Sequence, residues 1–222
     1  GESLKVISVN REGWMETESM ADGYKGFCRL NQFIFMEQPL IESKEFTGDW
    51  VEEILLNGQK IMLPFGSNLS LLNIAIPGYN FVFNGNIYNA CNTIISSKVI
   101  QDISFMFLNT SYLWGGKSVF GIDCSGFVQS VFKLLNIRLP RDANMQVVHG
   151  EPVGFLQEAA CGDLAFFDDD NGEITHVGII INEQQIIHAS GNVRIDLIDN
   201  EGIINSSTKK RTHHLRIIKK II

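Results

Sequence analysis

The sequence predicts an α+β fold, with helices packed on an antiparallel sheet and a small all-β region ahead of them. Three observations lead there. Residues 1–90 carry short alternating apolar runs punctuated by turn dipeptides. Two stretches between about residue 90 and residue 135 carry apolar residues at helical spacing. From Asp163 onward the pattern returns to strands, so helices precede a sheet instead of alternating with its strands.

In the first region the runs are Val6–Val9, Phe33–Met36, Ile61–Leu63 and Phe81–Phe83, with turn signals at Asp22-Gly23, Asn57-Gly58, Pro77-Gly78 and Asn84-Gly85. Regularly spaced short strands of this kind predict a small barrel or sandwich over residues 1–90. The second domain, residues 91–222, opens with a helix expected over Ala90–Leu108, where Ile95, Val99, Ile103 and Phe107 form one stripe. A glycine-rich loop leads through Gly121 into a second helix, Cys124–Leu135, which buries Phe127, Val128, Val131, Phe132 and Leu135. Strands follow at Asp163–Phe167, Ile174–Ile181, Gln185–Ala189 and Leu215–Lys219.

Bulk properties narrow the function. An apolar content of 45% over 222 residues is enough for a buried core. The net charge of -7 argues against a nucleic-acid partner, which would want a basic stripe. There is no apolar run of about 18–20 residues, so no transmembrane segment is predicted. No secretory leader is visible at Gly1, which leaves the destination open. The four cysteines lack a C-x-x-C spacing, so a zinc ribbon or redox pair is not expected. Cys28, Cys91 and Cys161 are read as small buried hydrophobes.

Cys124 stands apart. It follows a glycine loop and starts a helix, where aligned peptide dipoles favour thiolate over thiol. Its neighbours Asp123 and Ser125 form a polar patch that a core helix start would not carry, and Gly121 and Gly126 leave room for a substrate backbone. His176 shares a strand face with Gly178, and His188 lies on the next strand. The two histidines share a face of that hairpin only if its loop holds an odd number of residues or a bulge intervenes. In this reading Cys124 attacks a carbonyl carbon, His176 takes its proton, and His188 orients His176. The backbone N–H of Cys124 and the hydroxyl of Tyr112 would meet the oxyanion. His149, His213 and His214 are read as solvated or structural. No metal or other cofactor is expected, because no carboxylate is visible near His176 and His188 in a ligand-like array.

These residues resemble the NlpC/p60 family, papain-like peptidases of bacterial cell walls. The likeness lies in Tyr112-x-Trp-Gly-Gly, Asp123-Cys-Ser-Gly-Phe127, Leu139-Pro-Arg-Asp142 with Gln146, Gly162-Asp-Leu-x-Phe-Phe167, His176-Val-Gly178 and His188-Ala-Ser190. It implies a thiol endopeptidase that cuts murein stem peptides between γ-D-glutamate and the diamino acid, in many cases with a free N-terminal L-alanine. It implies Cys124, His176 and His188 as the catalytic set, with Tyr112, Trp114, Asp123 and Ser125 lining the substrate site. Asp123 would receive a substrate ammonium, serve as helix N-cap, or do both. Arg141 would hold a substrate carboxylate or a structural salt bridge. A hydroxyl residue often follows the Arg-Asp pair in related enzymes, where this chain has Ala143. Gly13-Trp14 and Asp22–Gly26 are similar to part of a bacterial SH3-like domain. The resemblance places the protein in the bacterial envelope, periplasmic or secreted, with cytoplasmic recycling of murein peptides as the alternative. A silent peptidoglycan-binding module and an acyltransferase on the same fold are the competing readings.

Overall fold

A computed structural model of the chain describes residues 1–37 and 40–222. It divides into two compact units, Gly1–Cys91 and Asn92–Ile222.

The first unit holds strands β1 (Leu4–Val9), β2 (Trp14–Ser19), β3 (Lys25–Arg29), β4 (Glu45–Thr47), β5 (Val51–Leu56), β6 (Gln59–Pro64), β7 (Phe81–Phe83) and β8 (Ile87–Asn89). They pair as three small antiparallel sheets, β1-β2-β3, β4-β8 and β6-β5-β7. Met15, Phe46, Ile54, Phe65 and Leu69 are buried within the unit. The β5–β6 turn is made by Asn57 and Gly58, both at positive φ (51° and 79°), the backbone that a two-residue hairpin demands. The strand expected at Phe33–Met36 does not form. The Gln32 side chain accepts from the Arg29 amide at 2.9 Å, closing a short 3-10 turn that leads the chain out of the β3 ladder.

The second unit carries α1 (Ser97–Phe105), β9 (Lys117–Ser118), β10 (Gly121–Ile122), α2 (Cys124–Leu134), α3 (Ala143–Gln146), β11 (Glu151–Val153), β12 (Leu164–Asp168), β13 (Ile174–Asn182), β14 (Gln185–Ser190), β15 (Asn192–Asp199), β16 (Gly202–Ile204) and β17 (Arg211–Lys220). Helix α1 is shorter than the expected 90–108. Ser96 caps it by accepting from the Val99 amide at 3.3 Å, and Asn109 at φ 65° ends the turns that follow it. Helix α2 starts at Cys124 and buries Phe127, Val128, Val131 and Phe132, with Leu135 just beyond its end.

Strands β12-β13-β14-β15-β16 are consecutive antiparallel neighbours, and β17 pairs with both β12 and β16. The six strands therefore close into a small barrel, with β11 added outside on β17. Ala165, Phe167, Ile180, Ile186, Ile198, Ile203 and Ile218 pack together in its core with Leu156. Helix α2 packs against β13 and β14. The sequence reading had no strand at Asn192–Asp199 or Gly202–Ile204, the two that complete the barrel.

Candidate active site

The β13–β14 connection is only Glu183-Gln184, which would turn His176 and His188 to opposite faces if the ladder were regular. The register shifts between Ile180 and Asn182, and Gly178 comes to lie opposite His188. The bulge restores the shared face, and His176 becomes the diagonal neighbour of His188. Their rings meet at 2.8 Å, His176 Nε2 to His188 Nδ1. Gly178 is the residue this approach needs, since a Cβ there would come within 2.9 Å of the His188 Cβ.

The next diagonal step reaches β15. His188 lies opposite Arg194 and Ile186 opposite Asp196. His188 Nε2 is 3.1 Å from Asp196 Oδ2, so a carboxylate does stand beside the histidines, contrary to the sequence reading. Arg194 donates an η nitrogen to Oδ1 at 3.0 Å and brings Nε to 2.8 Å from Oδ2 as an ion-pair contact without a hydrogen bond, and the Ser206 amide donates to Oδ1 at 2.8 Å. Burial alone would raise the Asp196 pKa, but the bonds from His188, Ser206 and Arg194 outweigh it and hold the group well below the ordinary carboxylate range.

His213, read from sequence as solvated or structural, is half-buried on β17 and stacks on His176 with ring centroids 4.1 Å apart. Burial, then repulsion from His188, lowers it to about 4. Burial pushes His176 well below 6.5, with His188 and His213 acting in the same direction. One ring nitrogen each from His176, His188 and His213 lies within 4.8 Å of the others, a grouping of a kind that metals use. His176 Nε2 and His188 Nδ1 are committed to each other, and the near-parallel rings of His176 and His213 run their in-plane lone pairs side by side instead of converging. His149 and His214 are exposed, as expected.

Cys124 opens α2, with Sγ 4.0 Å from the Thr175 carbonyl on the strand that carries His176. It is 7% exposed. Its thiol pKa is raised, first by burial and then by the Asp123 carboxylate, although backbone N–H groups at Val177, Ser125 and Cys124 itself pull the other way. The expected helix-start thiolate is thus corrected: burial and a neighbouring anion outweigh the backbone N–H groups at the helix start, and the thiol pKa is raised while the imidazole's is lowered.

Asp123 is the α2 N-cap, accepting from Gly126 N at 2.7 Å. It also accepts from Gly115 N at 2.8 Å and from both terminal nitrogens of Arg141, at 3.0 and 2.5 Å. Arg141 further donates to Ser125 Oγ at 3.0 Å. Both residues are buried, so Arg141 takes the structural salt-bridge role, and the Asp123 oxygens are occupied by protein donors. Gln146 donates to the carbonyls of Ser125 (3.1 Å) and Pro140 (2.8 Å), tying the Arg141 segment to the α2 start. A side chain at 126 would collide with the Gly116 carbonyl, so this glycine serves loop-on-helix packing and leaves no opening for substrate. Tyr112 is half-buried, its amide bonded to Gly191 O at 2.9 Å, and its phenol pKa is raised by burial and then by the nearby Cys124 and Asp123 charges. The structure does not draw Trp114 into this cluster; it is 86% exposed.

All four cysteines are free. Cys91 is exposed and Cys28 and Cys161 half-buried, so the three are not the buried hydrophobes expected. No helix among the described residues is long and apolar enough to cross a membrane.

Residues 109–213 match the family model described as NlpC/P60 family. Two proteins named gamma-D-glutamyl-L-lysine dipeptidyl-peptidase are similar to this chain: one from Bacillus subtilis, 43% identical over 96 residues, and one from Bacillus cereus, 36% identical over 110. The matched segments are 42% and 48% of this chain but 32% and 33% of those proteins, so the chain spans about a third of their length. A protein of Listeria seeligeri named "Probable endopeptidase p60" is 42% identical over 96 residues, covering 43% of this chain and 18% of that one. Among solved structures, an NlpC/P60 family protein from Bacillus cereus superposes with a TM-score of 0.80 over all of this chain and 80% of its own, at 21% identity, a likeness of fold.

Proposed function

Because residues 109–213 form an NlpC/P60 family domain, we propose that this protein is a cysteine endopeptidase that hydrolyses the γ-D-glutamyl–diamino acid bond of murein stem peptides, using substrates with a free N-terminal L-alanine. The observation that carries the reading is one placement: a cysteine at a helix start faces a strand whose histidine is hydrogen-bonded to a second histidine. Relatives that bear peptidase names support it.

Cys124 Sγ attacks the carbonyl carbon while its proton passes to His176, and His176 returns a proton to the leaving amine. A raised thiol pKa and a lowered imidazole pKa mean the nucleophile is generated during attack and not stored beforehand. His188 holds the far nitrogen of His176. The oxyanion is received by the N–H of Cys124, in the first turn of α2 where amides lack intrahelical partners, with the Tyr112 hydroxyl beside it. Asp123, Ser125 and Arg141 form the polar floor next to the nucleophile, and the exposed Trp114 offers a wall for the peptide. Residues 1–90 are read as an SH3-like domain and residues 91–222 as the papain-like catalytic domain. Such a substrate places the protein in the bacterial envelope, with cytoplasmic recycling of released murein peptides as the alternative.

The test is incubation with L-Ala-γ-D-Glu-diaminopimelate and with its N-acetylated form, followed by mass spectrometry. Free L-Ala-γ-D-Glu and diaminopimelate should appear from the first and far more slowly from the second. Cys124→Ala should lose turnover on the order of 10⁶-fold while still binding the tripeptide. Binding by the wild type without any cleavage would identify a recognition module instead, and an isopeptide product an acyltransferase.

A further inference from the structure

We propose that Asp196, clamped by Arg194 and the Ser206 amide, is a positioning residue that sets the tautomers of both buried histidines and so keeps Nδ1 of His176 free to accept the Cys124 proton. The proposal rests on the reading of Cys124 and His176 as nucleophile and base, and it adds a residue that reading does not contain.

The protons along this chain can be counted. Asp196 accepts three hydrogen-bond contacts, His188 Nε2 at Oδ2 and an Arg194 η nitrogen and the Ser206 amide at Oδ1, with Arg194 Nε in ion-pair contact at Oδ2. Arginine stays charged and can only donate, and so can an amide N–H. A carboxylate held in this way only accepts, so His188 Nε2 carries a hydrogen. In the neutral form of His188 that is its one N–H, which leaves Nδ1 as an acceptor. The 2.8 Å contact from His188 Nδ1 to His176 Nε2 then requires that His176 donate, with its single hydrogen on Nε2. The lone pair of His176 is therefore on Nδ1. Each link is a diagonal neighbour in the β13–β14–β15 ladder, and all three side chains are buried, so water cannot easily substitute at either junction.

Replacing the carboxylate with an amide should reverse the whole chain. In Asp196→Asn the Arg194 η nitrogen and the Ser206 amide, both donors at Oδ1, keep the Asn oxygen, which turns the NH₂ towards His188 Nε2. His188 must then accept there, its hydrogen moves to Nδ1, and it donates to His176 Nε2. The hydrogen of His176 ends on Nδ1, the atom that should be free.

The experiment is ¹⁵N NMR of the histidine-labelled full chain, using two-bond correlations to assign each ring's tautomer, combined with steady-state kinetics on the tripeptide. Wild type should show Nε2–H at both His176 and His188. Asp196→Asn should show Nδ1–H at both, with kcat reduced on the order of 10²–10⁴-fold and KM changed far less. A wild-type His176 protonated on Nδ1 would overturn the proposal, as would a folded Asp196→Asn protein with unchanged kcat. Should the variant not fold, the wild-type spectrum decides alone. Nε2–H tautomers without any cleavage would remove the substrate reading and leave this one standing; cleavage with an Nδ1–H His176 would do the reverse.

Discussion

Two buried aspartate–arginine pairs flank the site, and they do different work. Asp123–Arg141 lies beside the nucleophile and Asp196–Arg194 behind the histidines. Each carboxylate is ion-paired with its arginine, through two hydrogen bonds at Asp123 and one at Asp196, and each accepts from at least one backbone amide. What differs is the remaining partner. Asp123 spends its other bonds on the amides of Gly115 and Gly126, anchoring a loop and a helix start. Asp196 spends one on an imidazole. The first pair is architectural and the second is wired to a titrating ring. An aspartate next to a reactive group is therefore not by itself part of its chemistry; the atoms that fill its lone pairs decide.

Breaking the architectural pair should cost the most. Asp123→Ala removes an N-cap and strands a buried guanidinium, with an expected loss of about 3–5 kcal/mol in denaturant titration. Arg194→Met should cost less, about 1–2 kcal/mol, because Asp196 keeps the Ser206 amide and His188 and because Arg194 is more exposed than Arg141. Equal losses would erase the contrast.

Acid should reveal the second region selectively. His176 is held well below 6.5 and His213 near 4, so the unfolded chain takes up protons first as pH falls. The stability present above about pH 6.5 is then lost on the way down to about 4. Asp196 adds its own loss only below 3.8, its unfolded value. Thermal midpoints measured from pH 7 to 4 should fall, and His213→Phe should flatten that fall. In the same range cleavage should persist below pH 6.5, since the base remains neutral there.

Smaller effects sharpen the picture further. Asp123→Asn preserves the cap but removes the anion that raises the Cys124 thiol, so the midpoint of its pH-dependent alkylation should shift down. Cys91→Ser, on an exposed residue of the first unit, should change the unfolding free energy by less than about 0.5 kcal/mol in denaturant titration.

Much of the site could be read along the chain. The start of α2 at Cys124, its buried stripe, and the strands carrying His176 and His188 all follow from local spacing, and the hairpin parity rule showed in advance that a bulge or an odd loop was needed. Asp196 escaped although Val193, Ile195 and Leu197 alternate with Arg194 and Asp196 as in a half-buried strand, because that alternation assigns Asp196 to the polar face and nothing local shows it buried. His213 escaped because Arg211-Thr-His-His carries no apolar alternation. The Phe33–Met36 run looked like a strand, but a strand needs a neighbour as well as a pattern.

The order of residues alone settled which side chains share a face and where a helix could begin, because both depend on spacing over a few residues. Which nitrogen meets which oxygen, how far burial lifts the thiol, and how β17 closes the barrel to lay His213 on His176 came only with the assembled sheet. Those contacts join segments far apart in the chain, and their energies depend on water that only the packed molecule excludes.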